Sequence, residues 1–182
     1  MSIYFDHAAT TPMVESSLSA LTKQVKKLGN ASSLHSAGRS VRKDLEAARE
    51  ELAAAVGCAP SEIIFTSTGT EANNLAIKGL FWNGAKDNKK VIITSTFEHH
   101  AVMDPIVWLA EHEDAQVVGI NVDRKGFIDL AELEEAVEKH KGSIALISIM
   151  HSNNEVGTLQ DIAQVVKIAG DIPVHSDCVQ SF

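Results

Sequence analysis

The sequence predicts an α/β protein built on a mostly parallel sheet with helices on both faces. Three observations predict it. Short β-branched runs alternate with amphipathic helical stretches along the chain. The runs "EIIFTS", "KVIITS", "AQVVGI", "SIALISIM" and "IPVHSD" are apolar nearly throughout, as in strands covered on both sides. No repeat, low-complexity linker or compositional break divides the chain, and its 182 residues suffice for one domain with a core.

Residues 13–27 read as the first helix. From Ser36 to Val56 the apolar positions Val41, Leu45, Ala48, Leu52 and Val56 recur at helical spacing, and Gly57 ends the helix. "EIIFTS" reads as a strand. "TGTEANNLAIKGLF" follows as a helix opened by Thr68, with Glu71 three residues on as in a capping box. "KVIITS" is the next strand, and residues 100–113 form a helix that tolerates Pro105 in its early turns. After the strand "AQVVGI", Asp129 and Glu132 cap a helix reaching about His140. "SIALISIM" is a strand, 161–169 a helix with Ile162, Val165, Val166 and Ala169 on one face, and "IPVHSD" the last strand.

Composition narrows the function classes. Hydrophobic residues make up 45% and charged residues 22%, with a net charge of −8 and no basic stripe, so direct nucleic-acid binding is not expected. The opening "MSIYFDHAATTP" lacks a signal-peptide pattern, and no apolar run approaches the roughly 20 residues that span a bilayer. Cys58 and Cys178 make neither a disulfide framework nor a CxxC pair. A reduced, cytoplasmic protein away from the membrane is expected. The neighbours His99 and His100 lack HExxH or further ligand spacing, so no metal is expected.

Right-handed crossovers bring the carboxyl ends of parallel strands to one edge, where ligands bind such sheets. Four of the five strands deliver polar groups there: Ser67-Thr68-Gly69-Thr70, then Glu98-His99-His100, then His151, Asn153 and Asn154, then Asp177 and Gln180. Each also has a plainer reading. "STGTEANN" lacks the lysine of a GxxxxGK[ST] loop, so it caps a helix or cradles a phosphate, and the same backbone donors serve both. His99 suits a surface polar residue, and "NNEVG" a tight turn. Asp177 is harder to set aside, because a carboxylate at a buried strand end needs a cation or several donors. Taken together, the groups ask for a phosphate, a flat ring for the imidazole to cover, and a cationic ring nitrogen. Pyridoxal phosphate meets each requirement, with Asp177 keeping the pyridine nitrogen protonated so that the ring draws electrons from an amino acid α-carbon.

At the level of motifs, "YFDHAATTP", "GNASSLHSAGR", "IIFTSTGTEANNLAIKG", "EHHAVMD", "ISIMHSNNEVGTLQDI" and "VHSDCVQ" stand in the order and spacing of one family. The chain resembles the amino-terminal half of cysteine desulfurases, in the class V aminotransferase group of fold-type I pyridoxal phosphate enzymes. The resemblance implies Gly69 and Thr70 at the phosphate, His99 stacked on the ring and carrying protons, and Asn154 beside the ring oxygen and the substrate. It implies Asp177 at the pyridine nitrogen and Gln180 at the ring oxygen. It further implies removal of sulfur from L-cysteine to leave L-alanine, the sulfur passing to an enzyme cysteine as a persulfide. A homodimer is implied, and so is a sulfur-acceptor protein, either an iron–sulfur scaffold or a tRNA-thiolation enzyme.

The resemblance also sets expectations about extent. Residues 1–182 would be an amino-terminal segment plus most of the cofactor-binding large domain. The Schiff-base lysine stretch, the persulfide cysteine and the carboxy-terminal small domain would lie outside them, leaving the 182-residue chain inactive alone. Lys78, Lys89 and Lys90 match no anchoring position, and Cys178 stands where the family usually has alanine. Two alternatives stay open: a selenocysteine lyase or small-amino-acid transaminase of the same fold, and a non-catalytic binding or dimerisation module.

Overall fold

Helix α1 (Glu15–Gln24) and helix α2 (Ser36–Val56) dominate the first part of the computed structural model, which describes residues 3–182. Gly57 takes φ +76°, a left-handed conformation that glycine adopts at little cost, and its N–H closes α2 on the Ala53 carbonyl. At the other end the His35 ring accepts the Gly38 N–H. The bounds of α2 match the expectation; its environment does not. Only Gly38 and Ala53 are buried in α2, and the apolar stripe of Leu45, Leu52 and Val56 stays exposed. Helix α1 buries none of its residues.

Among the described residues the expected first strand does not form. Pro60–Glu62 forms a 3₁₀ turn, and the extended residues after it pair with no strand. Ile63 instead offers its carbonyl to Arg49, whose guanidinium lies 4.9 Å from the centre of the Phe65 ring. A strand needs a ladder as well as β-branched residues, so propensity alone overstates this segment. Its end at Phe65 is also where the chain divides into two compact units, the second running from Thr66 to Phe182. The composition carries no sign of that division.

The second unit holds helix α3 (Gly69–Ala85), strand β1 (Val91–Ser95), helix α4 (His100–His112), strand β2 (Gln116–Ile120), helix α5 (Leu130–Lys139), strand β3 (Ile144–Ser148), helix α6 (Ile162–Ala169) and the short strand β4 (Val174–His175). The four strands pair in the order β2-β1-β3-β4, every pair parallel. β1 and β3 are buried along their full length. Val91, Ile93 and Ile147 face a core completed by Leu133 of α5 and Val165 of α6, while Ile92 and Leu146 face Ile77, Phe81, Val102, Ile106 and Leu109 of α3 and α4. Helices therefore cover both faces, as predicted. Each fully buried Ile or Leu contributes about 1.5–3 kcal/mol, so these two layers dominate the stability.

Caps set the helix starts. Asp129 accepts the Ala131 and Glu132 N–H groups at 3.0 and 3.1 Å, and Asp161 accepts that of Gln164 at 3.1 Å. Glu132 does not return to its own cap but binds the Asn121 backbone and side chain after β2. On α6, Val166 is exposed, while Val165 and Ala169 carry the buried face.

Candidate functional site

The sheet grows outward in opposite directions from β1 and β3, and in such sheets the crevice beyond those two strand ends is where ligands bind. Three loops and the start of α3 meet around it, all within the second unit.

The loop after β1 is pinned first. Glu98 Oε1 accepts the Ser95 hydroxyl at 2.6 Å and the Met150 N–H at 2.8 Å, bridging the ends of β1 and β3. Asn153 reaches back from the β3 loop to donate to the Phe97 carbonyl at 3.1 Å, and its own oxygen accepts the Glu155 and Val156 N–H groups. His99 follows as the N-cap of α4, its Nδ1 accepting the Ala101 N–H at 3.0 Å. That bond places the proton of the neutral imidazole on Nε2. Asn154 is half-buried, and its side chain makes no hydrogen bond among the described residues.

The segment after β4 is tied to both neighbours. The Asp177 carbonyl accepts the His151 N–H at 2.9 Å, and Ser181 Oγ lies 2.8 Å from His151 Nδ1. The Asp177 carboxylate is buried, 8% exposed, with Oδ1 on the Val179 N–H at 3.0 Å and Oδ2 on Asn73 Nδ2 at 2.8 Å. Asn73 stands one turn into α3, so Asp177 is bound directly to the helix that begins at Gly69. Gln180 is exposed beyond it, in a turn closed by the Ser181 N–H on the Cys178 carbonyl.

The start of α3 offers donors. Thr68 Oγ1 accepts the Glu71 N–H at 3.2 Å, half of the expected capping box. The other half is displaced by one residue, because the Glu71 carboxylate takes the N–H and hydroxyl of Ser67. The Ser67 hydroxyl, and after it the Ser67 N–H, hold the Glu71 carboxyl below its ordinary range. The Gly69 and Thr70 N–H groups and the Thr70 hydroxyl have no acceptor among the described residues. Free N–H groups on a 17-residue helix suit an anion.

Electrostatics sharpen the crevice. Burial pushes the Glu98 carboxyl up to about 7, against the Ser95 and Met150 donors and with help from the nearby Asp177 charge. Glu98 Oε2 and Thr94 Oγ1 are the buried side-chain oxygens left without a partner among the described residues. His175 is lowered by burial, against the pull of Asp177.

Gly69, Thr70, His99, Asn154, Asp177 and Gln180 all lie along this one edge. Lys89 and Lys90 precede β1 at the opposite end of the sheet, and Lys78 lies 4.2 Å from the centre of the Trp108 ring. Sequence reading passed over Glu98, Asn73 and His175 as functional groups. Only the placement of Glu98 in the loop after a strand signalled it. The residues present fit pyridoxal phosphate: free helix donors for its phosphate, a buried carboxyl with spare acceptor capacity for its ring nitrogen, and an unengaged amide in Asn154.

The model of the aminotransferase class-V family matches residues 3–182. An IscS-like cysteine desulfurase from Mycobacterium tuberculosis is 44% identical over 182 residues, covering 98% of this chain and 46% of the relative. The cysteine desulfurase IscS of Dictyoglomus turgidum is 46% identical, covering 98% of this chain and 45% of its own. Among solved structures, a NifS-like protein superposes with a TM-score of 0.93 at 36% identity, covering all of this chain and 50% of that one. SspA in complex with cysteine superposes at 0.91 and 36% identity, covering all of this chain and 52% of that one. The chain thus spans about half the length of the relatives it matches.

Proposed function

The chain belongs to the aminotransferase class-V family, and from that premise we propose that it holds pyridoxal phosphate for a cysteine desulfurase reaction. L-cysteine becomes L-alanine, and its sulfur passes to an enzyme cysteine as a persulfide. The names of the relatives support this activity, and the cysteine bound in the SspA structure supports the substrate. Residues 1–182 are then an amino-terminal segment with most of the cofactor-binding large domain. A homodimer, cytoplasmic location and a sulfur-acceptor protein, for iron–sulfur assembly or tRNA thiolation, belong to the same proposal. Among the described residues no helix is long and apolar enough to cross a membrane.

Bound there, pyridoxal phosphate supplies an electron sink for the α-carbon of an amino acid. The chain's own residues do the rest. The Gly69 and Thr70 N–H groups and the Thr70 hydroxyl bind the phosphate. The Asp177 carboxylate would accept from the pyridine nitrogen and so favour a proton there. His99 covers the ring and releases or regains a proton at Nε2, since Nδ1 is engaged by α4. Asn154 contacts the substrate and the ring oxygen, and Gln180 the ring oxygen. Glu98, its carboxyl pushed up to about 7 by burial, is protonated below that pH and there spares Asp177 a second adjacent charge.

The observation that carries this reading is the 2.8 Å bond from Asn73 to Asp177, which joins the acid to the helix of the phosphate turn. The test is a spectroscopic titration of the purified protein with pyridoxal phosphate. Saturable binding, competed by inorganic phosphate and weakened about tenfold or more by Asp177→Ala, is expected. Absence of saturable binding overturns the reading. For the substrate, a polypeptide that also carries the anchoring lysine and the persulfide cysteine, supplied with a dithiol that reduces the persulfide, is expected to form sulfide and alanine from L-cysteine. Residues 1–182 alone are expected to form neither. Amino transfer to a 2-oxo acid without sulfide would favour the transaminase alternative.

A further inference from the structure

Four polar side chains, from β3, β4, α3 and the segment after β4, are linked in a chain at the crevice. Ser148 Oγ, at the end of β3, lies 2.9 Å from His175 Nδ1. His175 Nε2 lies 3.2 Å from Asn73 Oδ1, and Asn73 Nδ2 lies 2.8 Å from Asp177 Oδ2. Ser148, Asn73 and Asp177 are buried, at 0%, 4% and 8% exposure, and His175 is half-buried.

The chemistry of the groups fixes the direction of every bond once one end is known. An ionised Asp177 only accepts, so Asn73 must turn its NH₂ toward it and its oxygen toward His175. His175 must then carry a proton on Nε2. A neutral ring with its proton there accepts at Nδ1, so the Ser148 hydroxyl must donate. Burial keeps the ring neutral, the Asp177 charge pulling the other way. A protonated Asp177 would permit the reverse: Asn73 flipped, His175 protonated on Nδ1, and Ser148 accepting.

We propose that Asn73, His175 and Ser148 are positioning residues for Asp177, a one-way chain of donors that holds its carboxylate oriented toward the site. Aligned hydrogen bonds polarise one another, and in a buried setting a chain of this kind outweighs its separate parts. It leaves each carboxylate oxygen with spare acceptor capacity for a cationic ligand. The assignment rests on the reading of Asp177 as partner of the cofactor nitrogen, but its direct readout requires no cofactor.

The test is a long-range ¹H–¹⁵N correlation spectrum of ¹⁵N-histidine-labelled protein at neutral pH, with the His175 signals assigned by His175→Gln. The neutral Nε2–H tautomer is expected. Asp177→Ala, which removes no contact of the His175 ring, is expected to release the tautomer preference and populate the Nδ1–H form. A wild-type His175 that is Nδ1–H or imidazolium overturns the proposal, whether or not any variant folds; so does an unchanged tautomer in a folded Asp177→Ala protein. In a second arm, pyridoxal phosphate affinity is expected to fall about tenfold in Asn73→Leu and in His175→Leu. His175→Gln, whose amide can still donate to Asn73, is expected to recover most of the loss, and failure to do so in a folded variant counts against the relay. If the wild type binds no cofactor but shows the Nε2–H tautomer, the functional reading fails and the one-way chain stands.

Discussion

Val179 closes over Gly69: a Cβ added to Gly69 would come within 2.7 Å of Val179 Cγ2. The first residue of α3 and the segment carrying Asp177 are thus in van der Waals contact, although far apart in the chain. With the Asn73 bond to Asp177, this contact makes one edge of separate loops.

Gly69→Ala tests that closeness. The atom met is the tip of an exposed valine, which can rotate away, so a stability loss below about 1 kcal/mol is expected. The added methyl sits at the proposed phosphate donors, so pyridoxal phosphate affinity is expected to fall about tenfold. Thermal unfolding beside a cofactor titration separates the two effects.

Glu98 gives the fold a pH dependence. Its carboxyl rises from 4.5 to about 7 in the folded protein, so between these values the native state holds a proton that the unfolded chain has lost. Stability from this group is full below 4.5, declines as pH rises to about 7, and is flat above. The decline amounts to about 3 kcal/mol at most. His175 acts with the opposite sign: its folded pKa lies below 6.5, so its contribution is present at higher pH and lost on acidification. Urea unfolding of wild type and Glu98→Gln across this range isolates Glu98. The variant should gain on the wild type as pH rises, and parallel curves would contradict the raised pKa.

His99 has two roles that one pair of substitutions divides. Its Nδ1 caps α4, and removing a cap costs about 1 kcal/mol, the loss expected for His99→Ala. His99→Asn restores a favoured cap and should unfold within about 0.5 kcal/mol of wild type. Both should lose desulfurase turnover in a polypeptide that also carries the anchoring lysine and the persulfide cysteine, because neither places a group that can take up and release a proton at the position of Nε2.

The adjacent asparagines should behave differently. Asn153 joins the β3 loop to Phe97 and closes its own turn, so Asn153→Ala should destabilise by about 1–3 kcal/mol. Asn154→Ala, which breaks no internal bond of that side chain, should stay within about 0.5 kcal/mol while weakening binding of the substrate. Denaturant unfolding of both variants checks the contrast.

Much of the second unit was legible from residue order. The cap at Asp129 and the buried runs of β1 and β3 follow from local pattern, as do the bounds of α2 in the first unit, because each depends on neighbours within a few residues. So did the polar residues at the strand ends, since parallel strands share a direction. "EIIFTS" misled because its β-branched residues are suited to a strand but have no partner to pair with. Glu71 binding Ser67 rather than its own cap shows how a one-residue shift escapes a motif.

By itself, then, the sequence determined the helices, three of the four strands in full, the covered sheet, and which residues stand at its carboxyl edge. Only the tertiary structure decided how those residues are wired: Asn73 to Asp177 across 104 positions, His175 to Asn73 across 102, and Glu98 to Met150 across 52. Local elements form from short-range sterics and hydrogen bonds that a pattern encodes. Long-range polar pairs depend on strand order and on burial, which make a partner necessary without naming it in advance.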